Sequence, residues 1–226
     1  PVIIEDRMVN TKEDGLYTTW VGADFYLEGQ KACEWMREYS IETGKKQLNI
    51  VHIQGTQGAT AQLGRMQALT EAVRANGWNI LDQQNGEFTE AKGQEIMEGF
   101  LEKYEDIDVV YCDNDSEALG AVTAIERAGK KAGKDGIMVV SFDATREGLR
   151  AVRDGKISVD VECNPCMGEK IERIIKMLER GEKVNKKYYM NDNIYASDQT
   201  IKEINIGTSR WEVTEVTNQI IREREY

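Results

Sequence analysis

Side chains suited to binding a polyol recur where the predicted buried strands end. The residues in these positions are Asp6, Arg7, Arg65, Phe88, Asn114, Asp143 and Glu162. A carboxylate accepts hydrogen bonds from two hydroxyl groups, an asparagine amide both accepts and donates, and an arginine donates through a rigid fork. An aromatic ring covers the apolar C–H face of a sugar. Together these residue types favour a neutral polyol over an anion as the ligand.

Each of these residues also has a structural interpretation when it is taken alone. Asn114 and Asp143 could cap loops, and Asp115 is expected to cap the helix that it opens. Phe88 could be a core residue and Arg65 a solvated helix residue. Their joint occurrence at five or six successive strand ends favours the binding interpretation.

Other site chemistries are not supported by the sequence. The GTQG turn at 55–58 lacks the Gly-Lys-Ser/Thr of a phosphate loop, which disfavours nucleotide binding. The run DNDSE at 113–117 begins like a calcium loop, but Ala118 stands where that loop needs glycine. His52, the only histidine, lies inside an apolar strand and is expected to be a core residue rather than a base. We therefore expect neither a metal nor a cofactor.

Two cysteines, Cys163 and Cys166, have C-x-x-C spacing at a predicted helix start. Their flanking residues do not resemble a thioredoxin motif, so the sequence favours a disulfide or a pair of buried thiols over a redox centre. Cys33 and Cys112 lie elsewhere and complete no paired metal-ligand spacing.

The elements that position these residues alternate between strand and helix. Strands are predicted over 1–7, 17–22, 48–54, 78–83, 108–112, 137–142, 158–162 and 186–190. One helix is predicted to begin at Asp24, and a second, after the strand 48–54, to end at Asn76. Further helices are predicted over 89–104, 115–128, 146–153 and 165–180. Single helices between strands require parallel strands, and near-continuous apolar strands indicate a sheet covered on both faces. The predicted fold class is α/β with a doubly wound parallel sheet, which binds ligands beyond the carboxyl ends of its strands.

Composition and charge exclude several classes of protein. The 226 residues carry 40 acidic and 29 basic side chains, and the net charge of −11 opposes binding to nucleic acid. No apolar run reaches the ~18 residues that a membrane helix needs. The chain begins with Pro1 inside a predicted strand, without an initiator methionine or a signal segment, so we expect a processed piece whose native start lies upstream. The polar tail from Asn191 is expected to pair with no other element and to expose Trp211.

Seven segments, distributed from Pro1 to about Met190, carry a family resemblance. In order they are PVIIEDR, VGADFYLEG, GTQGATAQLGRMQAL, GEFTEAKG, YCDNDSEALGAV, VVSFDATREGL and VECNPCMG. Together they resemble the sugar-binding proteins of ABC transporters of the ribose-binding type, and the galactofuranose binders among them most of all. Effector domains of lactose-repressor-like regulators share this fold. Phe25, where relatives usually have asparagine, and Trp20 depart from the pattern.

The resemblance implies a type 1 periplasmic-binding-protein fold with its second lobe nearly complete and its first lobe mostly missing. Residues 1–23 would be a remnant of the first lobe, 24–161 the second α/β lobe, 162–184 a return helix to the first lobe, and 185–226 a closing strand and tail. The return helix carries the apolar stripe Met167, Ile171, Ile174 and Leu178, which in the family packs on first-lobe strands expected to be missing. A fragment dimer through Ile171, Ile174 and Leu178, or poor order there, is the predicted consequence.

The resemblance also implies roles for the strand-end residues. Sugar hydroxyls would be bound by Asp6 and Arg7 from the first lobe and by Arg65, Asn114 and Asp143 from the second. Phe88 would stack on the sugar ring, and Glu162 stands where many relatives have glutamine.

The implied function is non-catalytic binding of a monosaccharide, a hexose or pentose with furanoses among the candidates, for delivery to an ABC transporter permease. The protein would be extracytoplasmic, either periplasmic or a cell-surface lipoprotein, and would use no cofactor. The alternative is a sugar-sensing effector domain of a lactose-repressor-like regulator or of an extracytoplasmic receptor. A further alternative is an enzyme that acts on sugars through paired carboxylates, for example Asp143 and Glu162, which requires a defined separation between the two groups.

Overall fold

The strands of the chain form two separate sheets. The computed structural model describes residues 1–226, apart from the side chain of Asp14. The strands are β1 (Ile3–Glu5), β2 (Thr19–Gly22), β3 (Asn49–Gln54), β4 (Asn79–Asn85), β5 (Val109–Cys112), β6 (Met138–Asp143), β7 (Val159–Glu162), β8 (Lys187–Tyr189), β9 (Ile194–Ala196), β10 (Glu203–Ile206) and β11 (Ser209–Glu215). The helices are α1 (Phe25–Glu42), α2 (Thr60–Asn76), α3 (Glu90–Lys103), α4 (Asp115–Arg127), α5 (Arg146–Arg153), α6 (Gly168–Glu179) and α7 (Asn218–Glu223).

The larger sheet has eight strands in the order β10-β11-β9-β7-β6-β5-β3-β4. The five strands from β4 to β7 are parallel, and β9 continues the sheet antiparallel to β7. Successive residues of β3 point to opposite faces, so that Ile50 packs in a core with α1 and α2 while Val51 packs in a core with α3, α4 and α5. Helices therefore cover both faces, and the predicted doubly wound α/β fold is confirmed.

The smaller sheet is parallel, with the order β1-β2-β8, and packs against α6. The predicted helix starts at residue 165, but α6 begins at Gly168, because the Asn164 side chain accepts a hydrogen bond from the Cys166 backbone in a turn that precedes the helix. The apolar stripe of α6 contacts Val21 of β2, so part of the stripe is covered by strands that the chain contains. Ile174 is 1% exposed, whereas Ile171 and Leu178 are only partly buried, so a dimer through this stripe stays a prediction.

The tail after Asn191 belongs to the larger sheet, contrary to the prediction that it has no partner. β9 and β11 are parallel neighbours, and β10 pairs antiparallel with β11 at the sheet edge. Trp211, predicted to be exposed, is half-buried, and the Lys31 ammonium lies 3.7 Å from the centroid of its ring. β9 and β10 escaped prediction because they have only three and four residues, too few to show a period, and β11 because only one of its seven residues is buried.

Two helix ends lie at caps that the sequence signals. The Asp24 side chain accepts a hydrogen bond from the Leu27 backbone at the start of α1, as predicted. α2 ends at Gly77, whose φ of 68° is the left-handed conformation of a helix C-terminus. Within the described part of the chain, no helix combines the length and the apolar character required to cross a bilayer.

Candidate functional site

A cavity of about 480 Å³ is lined by residues of both sheets and of the loops that follow their strands. It contains six of the seven strand-end residues that the sequence singles out, namely Asp6, Arg7, Arg65, Phe88, Asn114 and Asp143. The other lining residues are Glu5, Phe25, Ala61, Thr145, Cys163, Pro165, Met167 and Tyr226. The cavity therefore lies where the sequence predicts a binding site, beyond the carboxyl ends of the parallel strands.

Arg65, on the second turn of α2, lies at the back of the cavity and is 1% exposed. Its Nε donates to Glu28 Oε2 at 2.9 Å, its Nη1 donates to the backbone carbonyl of Asp113, and its Nη2 lies 3.5 Å from Asp143 Oδ1. The guanidinium also stacks over Phe142, 4.5 Å from the ring centroid. Burial lowers the pKa of Arg65, but the carboxylates of Glu28 and Asp143 outweigh it and hold the pKa above its usual range. Arg65 is therefore charged and fixed in orientation.

Asp143 ends β6 with a φ of 105°, and Ala144 follows at 52°, so the chain turns sharply at the cavity wall. Burial raises the pKa of Asp143, Arg65 opposes this effect, and the nearby Asp115 carboxylate adds to it. The turn is held by Asp115, which accepts from the Thr145 backbone at 2.7 Å and from the Ser141 hydroxyl at 2.6 Å. The prediction that Asp115 caps α4 is wrong, because the cap is Asn114.

Phe88 lines the cavity from a turn in which Glu87 and Phe88 both have positive φ, 57° and 61°. Its backbone N–H donates to Glu117 Oε1 at 2.9 Å, and its carbonyl accepts from Asn114 Nδ2 at 3.3 Å. The far end of the ring packs closely on Gly55, where an added Cβ would stand 2.0 Å from ring carbons. Asn114 thus holds the Phe88 turn, caps α4 and lines the cavity at once.

Asp6 and Arg7 reach the cavity from the smaller sheet. Asp6 has a φ of 59°, and the turn is fixed because its carbonyl accepts from the Trp20 indole at 2.9 Å. The side chains of Asp6 and Arg7 are about half exposed and form a loose ion pair of 3.8 Å. The Arg7 guanidinium lies 5.2 Å from the Phe88 ring centroid, so the two sheets meet here.

Left-handed backbone is concentrated at this site. Among the described residues, the non-glycine residues with positive φ are Asp6, Glu87, Phe88, Asp143 and Ala144. Three of them line the cavity and the other two adjoin a lining residue in the chain. Such conformations cost about 1–3 kcal/mol each and are typical of functional sites. No sequence signal marks them, because aspartate and phenylalanine do not require this conformation.

Glu162 is the predicted site residue that does not line the cavity. Its Oε1 accepts hydrogen bonds from the Tyr226 hydroxyl at 2.7 Å and from Arg224 Nη1, and its Oε2 accepts from Asn193. Burial raises the pKa of Glu162, but the bonds from Arg224 and Tyr226 outweigh it and keep the pKa low. The expectation of a direct ligand group at Glu162 is corrected: its oxygens are engaged by the tail, and the Tyr226 side chain stands at the wall instead.

His52 is the buried core residue that the sequence predicts. Its Nδ1 lies 3.0 Å from Gln83 Nε2, and because an amide nitrogen only donates, Nδ1 accepts. The hydrogen is therefore on Nε2, which donates to Asp113 Oδ1 at 2.8 Å. The other oxygen of Asp113 accepts from the Gly55 backbone, so His52 stabilises the turn beneath Phe88.

The two cysteines of the C-x-x-C pair are free. Cys163 is half-buried and lines the cavity, whereas Cys166 is exposed, with its sulfur 3.5 Å from Glu225 Oε2. The prediction of a disulfide or of two buried thiols is wrong, because the turn at Pro165 directs the two side chains to different surroundings. In the described part of the chain, no three His, Cys, Asp or Glu side chains form a group able to hold a metal ion.

Comparison with known proteins identifies relatives of the chain. A family model described as periplasmic binding protein domain matches residues 1–183. The galactofuranose-binding protein YtfQ of Escherichia coli K12 is 34% identical over 209 residues, which cover 90% of this chain and 64% of that protein. The ribose import binding protein RbsB of the same organism is 34% identical over 190 residues, covering 83% of this chain and 60% of its own length. The chain thus spans less than two thirds of the curated relatives it matches.

Solved structures of similar fold lead to the same group. A Mycobacterium smegmatis protein in complex with β-D-fucofuranose is 38% identical, with a TM-score of 0.81 over 87% of this chain and 64% of that one. The binding component of an arabinose ABC transporter from Shewanella sp. ANA-3, bound to α- and β-L-arabinofuranose, is 34% identical with a TM-score of 0.81 over 87% of this chain and 65% of that one. These relatives do not favour the regulator alternative.

Proposed function

The chain belongs to the periplasmic binding protein domain family, as its sequence motifs predict, and we propose that it forms the greater part of a non-catalytic monosaccharide-binding protein of an ABC transporter. The relatives named above bind galactofuranose, ribose, fucofuranose and arabinofuranose. We propose a hexose or pentose in the furanose form as the ligand, held by Asp6, Arg7, Arg65, Phe88, Asn114 and Asp143.

The observation that carries this proposal is a cavity of about 480 Å³ that combines paired charges with an aromatic ring. The volume is in the range of small-molecule sites, about 300–1,000 Å³. Arg65 is balanced by Glu28 and Asp143, and Arg7 is balanced by Asp6. Since no positive charge is left over, the cavity offers directed donors and acceptors to hydroxyl groups without attracting an anion.

The proposal is tested by isothermal titration calorimetry on the full-length protein with D-ribose, L-arabinose, D-galactose and methyl β-D-galactofuranoside. We expect at least one sugar to bind with a Kd in the micromolar range or below. Arg7→Ala should weaken that binding at least tenfold without changing the melting temperature, because the Arg7 side chain is 55% exposed and forms only a loose ion pair. The matched control is Arg173→Ala on α6, 79% exposed and paired with Glu169, which should bind like the wild type. Absence of millimolar or tighter binding for every sugar would refute the proposal.

Delivery to a permease and an extracytoplasmic location are part of the proposal, and both can be tested in cells. Deletion of the gene should reduce uptake of the radiolabelled sugar identified by calorimetry, and the protein should be found in the fraction outside the cytoplasmic membrane. The bound sugar should be recovered chemically unchanged, since of the two carboxylates that an enzyme would pair, Asp143 lines the cavity and Glu162 does not. Unchanged uptake together with altered transcription of a sugar operon would support the regulator alternative instead.

A further inference from the structure

The segment from Thr217 to Tyr226 ends at the cavity, although nothing in the sequence connects it with the site. Thr217 caps α7, its hydroxyl oxygen accepting from the Ile220 backbone at 3.2 Å. Ile221 is buried in the core shared by α3, α4 and α5. The backbone N–H of Arg146, at the start of α5, donates to the carbonyl of Tyr226 at 2.8 Å. The segment is therefore anchored by Ile221 in the core and by Tyr226 at the start of α5.

The Tyr226 ring is fixed by a buried cluster of polar side chains. Its hydroxyl donates to Glu162 Oε1 at 2.7 Å, and Arg224 Nη1 bonds both to that carboxylate and to the hydroxyl. Arg224 Nη2 donates to the Tyr195 hydroxyl at 2.8 Å, while Glu162 Oε2 is held by Asn193. The side chains of Glu162 and Arg224 are 3% and 8% exposed. Because the hydroxyl is engaged in this cluster, Tyr226 presents the apolar body of its ring to the cavity.

Tyr226 also separates two cavities. On its other side lies a second cavity of about 340 Å³, lined by Asn164, Cys166, Tyr195, Ile220, Glu223, Arg224 and Glu225. Among the described residues, Tyr226 is the only one that lines both this cavity and the larger one of about 480 Å³. Tyr226 is therefore a wall shared by the two cavities, and we expect removal of its ring to join them.

We propose that Tyr226 is a specificity-determining wall of the sugar cavity and that Arg224 and Glu162 are its positioning residues. The inference rests on the proposed function, since it assigns a part of the same site. With the ring in place, the length of sugar that the cavity accepts is limited at this end. Without the ring, a sugar with a longer exocyclic chain has space to extend into the second cavity. A smaller sugar loses an apolar contact and makes no new one.

The test measures the ratio of two dissociation constants in the full-length protein, that for L-arabinose divided by that for methyl β-D-galactofuranoside. We expect Tyr226→Ala to raise this ratio at least tenfold, in favour of the larger sugar, because the pentose loses its wall. Arg224→Met should shift the ratio in the same direction by a smaller factor, and Arg224→Lys should restore part of the wild-type value. A purely structural role would weaken both sugars equally and leave the ratio unchanged. The matched control is Gln219→Ala on the exposed face of α7, which should bind like the wild type.

The outcomes distinguish this inference from the proposed function. If the wild type binds none of the four sugars used to test the proposed function, the proposed function fails. If the wild type binds and Tyr226→Ala leaves the ratio within twofold, the inference is overturned while the proposed function stands. If circular dichroism shows that Tyr226→Ala is unfolded, Tyr226→Leu, which keeps apolar volume for the fold but shortens the wall, takes its place with an expected shift of at least threefold. An unchanged ratio in that variant overturns the inference equally.

Discussion

Replacing Arg65 by methionine tests whether the buried ion pair at the back of the cavity is part of the fold as well as of the site. Arg65 is 1% exposed, and its guanidinium bonds to Glu28 and to the backbone carbonyl of Asp113. Methionine keeps much of the apolar volume but leaves these buried acceptors without a donor. Because removing one partner of a buried ion pair costs about 3–5 kcal/mol, the free energy of unfolding of Arg65→Met should fall by that amount.

The Glu28 carboxylate is the expected source of much of this loss. If so, the double variant Arg65→Met with Glu28→Gln should be more stable than the sum of the two single variants predicts. Residues in direct contact typically show coupling energies of about 0.5–3 kcal/mol, and we expect a value in the upper half of that range. Binding of sugar should be lost in both variants that lack Arg65, since Arg65 lines the cavity and pairs with Asp143 there.

The loss should also depend on pH. Burial raises the pKa of Glu28 and that of Asp143, and in both cases Arg65 is the main opposing influence. Without Arg65, both folded-state pKa values rise further above those of the unfolded chain, which lie near 4. A group whose folded-state pKa is raised contributes full stability below its unfolded pKa and loses it as pH rises through the folded pKa. The penalty of Arg65→Met is therefore larger at pH 8 than at pH 5.

Urea denaturation followed by tryptophan fluorescence measures these quantities in the full-length protein, for wild type, both single variants and the double variant, at pH 5 and pH 8. The exposed Arg173→Met serves as the matched control and should change the free energy of unfolding by less than about 0.5 kcal/mol. A penalty for Arg65→Met below about 1 kcal/mol at pH 8, or an equal penalty at both pH values, would show that the ion pair does not stabilise the fold.

Three further predictions concern the surroundings of the cavity. Phe88→Ala should weaken sugar binding by about 1–3 kcal/mol in calorimetry, the loss of an apolar stacking surface, and unchanged affinity would return Phe88 to a core role. Gly120→Ala should lower the free energy of unfolding by about 1–3 kcal/mol, because its Cβ would stand 2.2 Å from the backbone oxygen of Glu90. Gly99→Ala is the control: no atom lies within 4 Å of its added Cβ, so it should stabilise α3 by about 0.5–1 kcal/mol. Burial and the Asp113 carboxylate raise the pKa of Glu117 to about 8, so the wild type should lose stability as pH rises from about 4, the unfolded pKa, to about 8. Glu117→Gln should flatten that part of the profile in denaturation curves.

The sequence predicts the parallel part of the larger sheet because each of its strands is a short apolar run followed by a helix with a clear period. It also predicts that Arg65, Phe88, Asn114 and Asp143 meet, because the carboxyl ends of parallel strands share one edge. Both predictions need only the periodicity of apolar residues along the chain and the rule that parallel strands end at the same edge of a sheet. They do not need any knowledge of which side chains touch.

The features that escaped prediction depend on contacts between distant parts of the chain. Glu162 is separated from Arg224 by 62 positions, and only the folded chain shows that the tail binds its carboxylate. Glu28 offered a usable signal, since it lies four and seven residues before Ala32 and Trp35 on the predicted apolar stripe of α1. A carboxylate on such a stripe must find a buried partner, and Arg65 is that partner.

The two sides of the site differ in how many contacts hold their side chains in place. On the larger sheet, Arg65 is bonded to Glu28, Asn114 holds the turn of Phe88, and Tyr226 is tied to Glu162. On the smaller sheet, the side chains of Asp6 and Arg7 are about half exposed and share only a loose ion pair. Ordering a rotamer-rich side chain on binding costs about 0.5–1.5 kcal/mol, so most of that cost falls on the smaller sheet. The larger sheet, whose side chains are already held, is therefore expected to determine which sugar the proposed site binds.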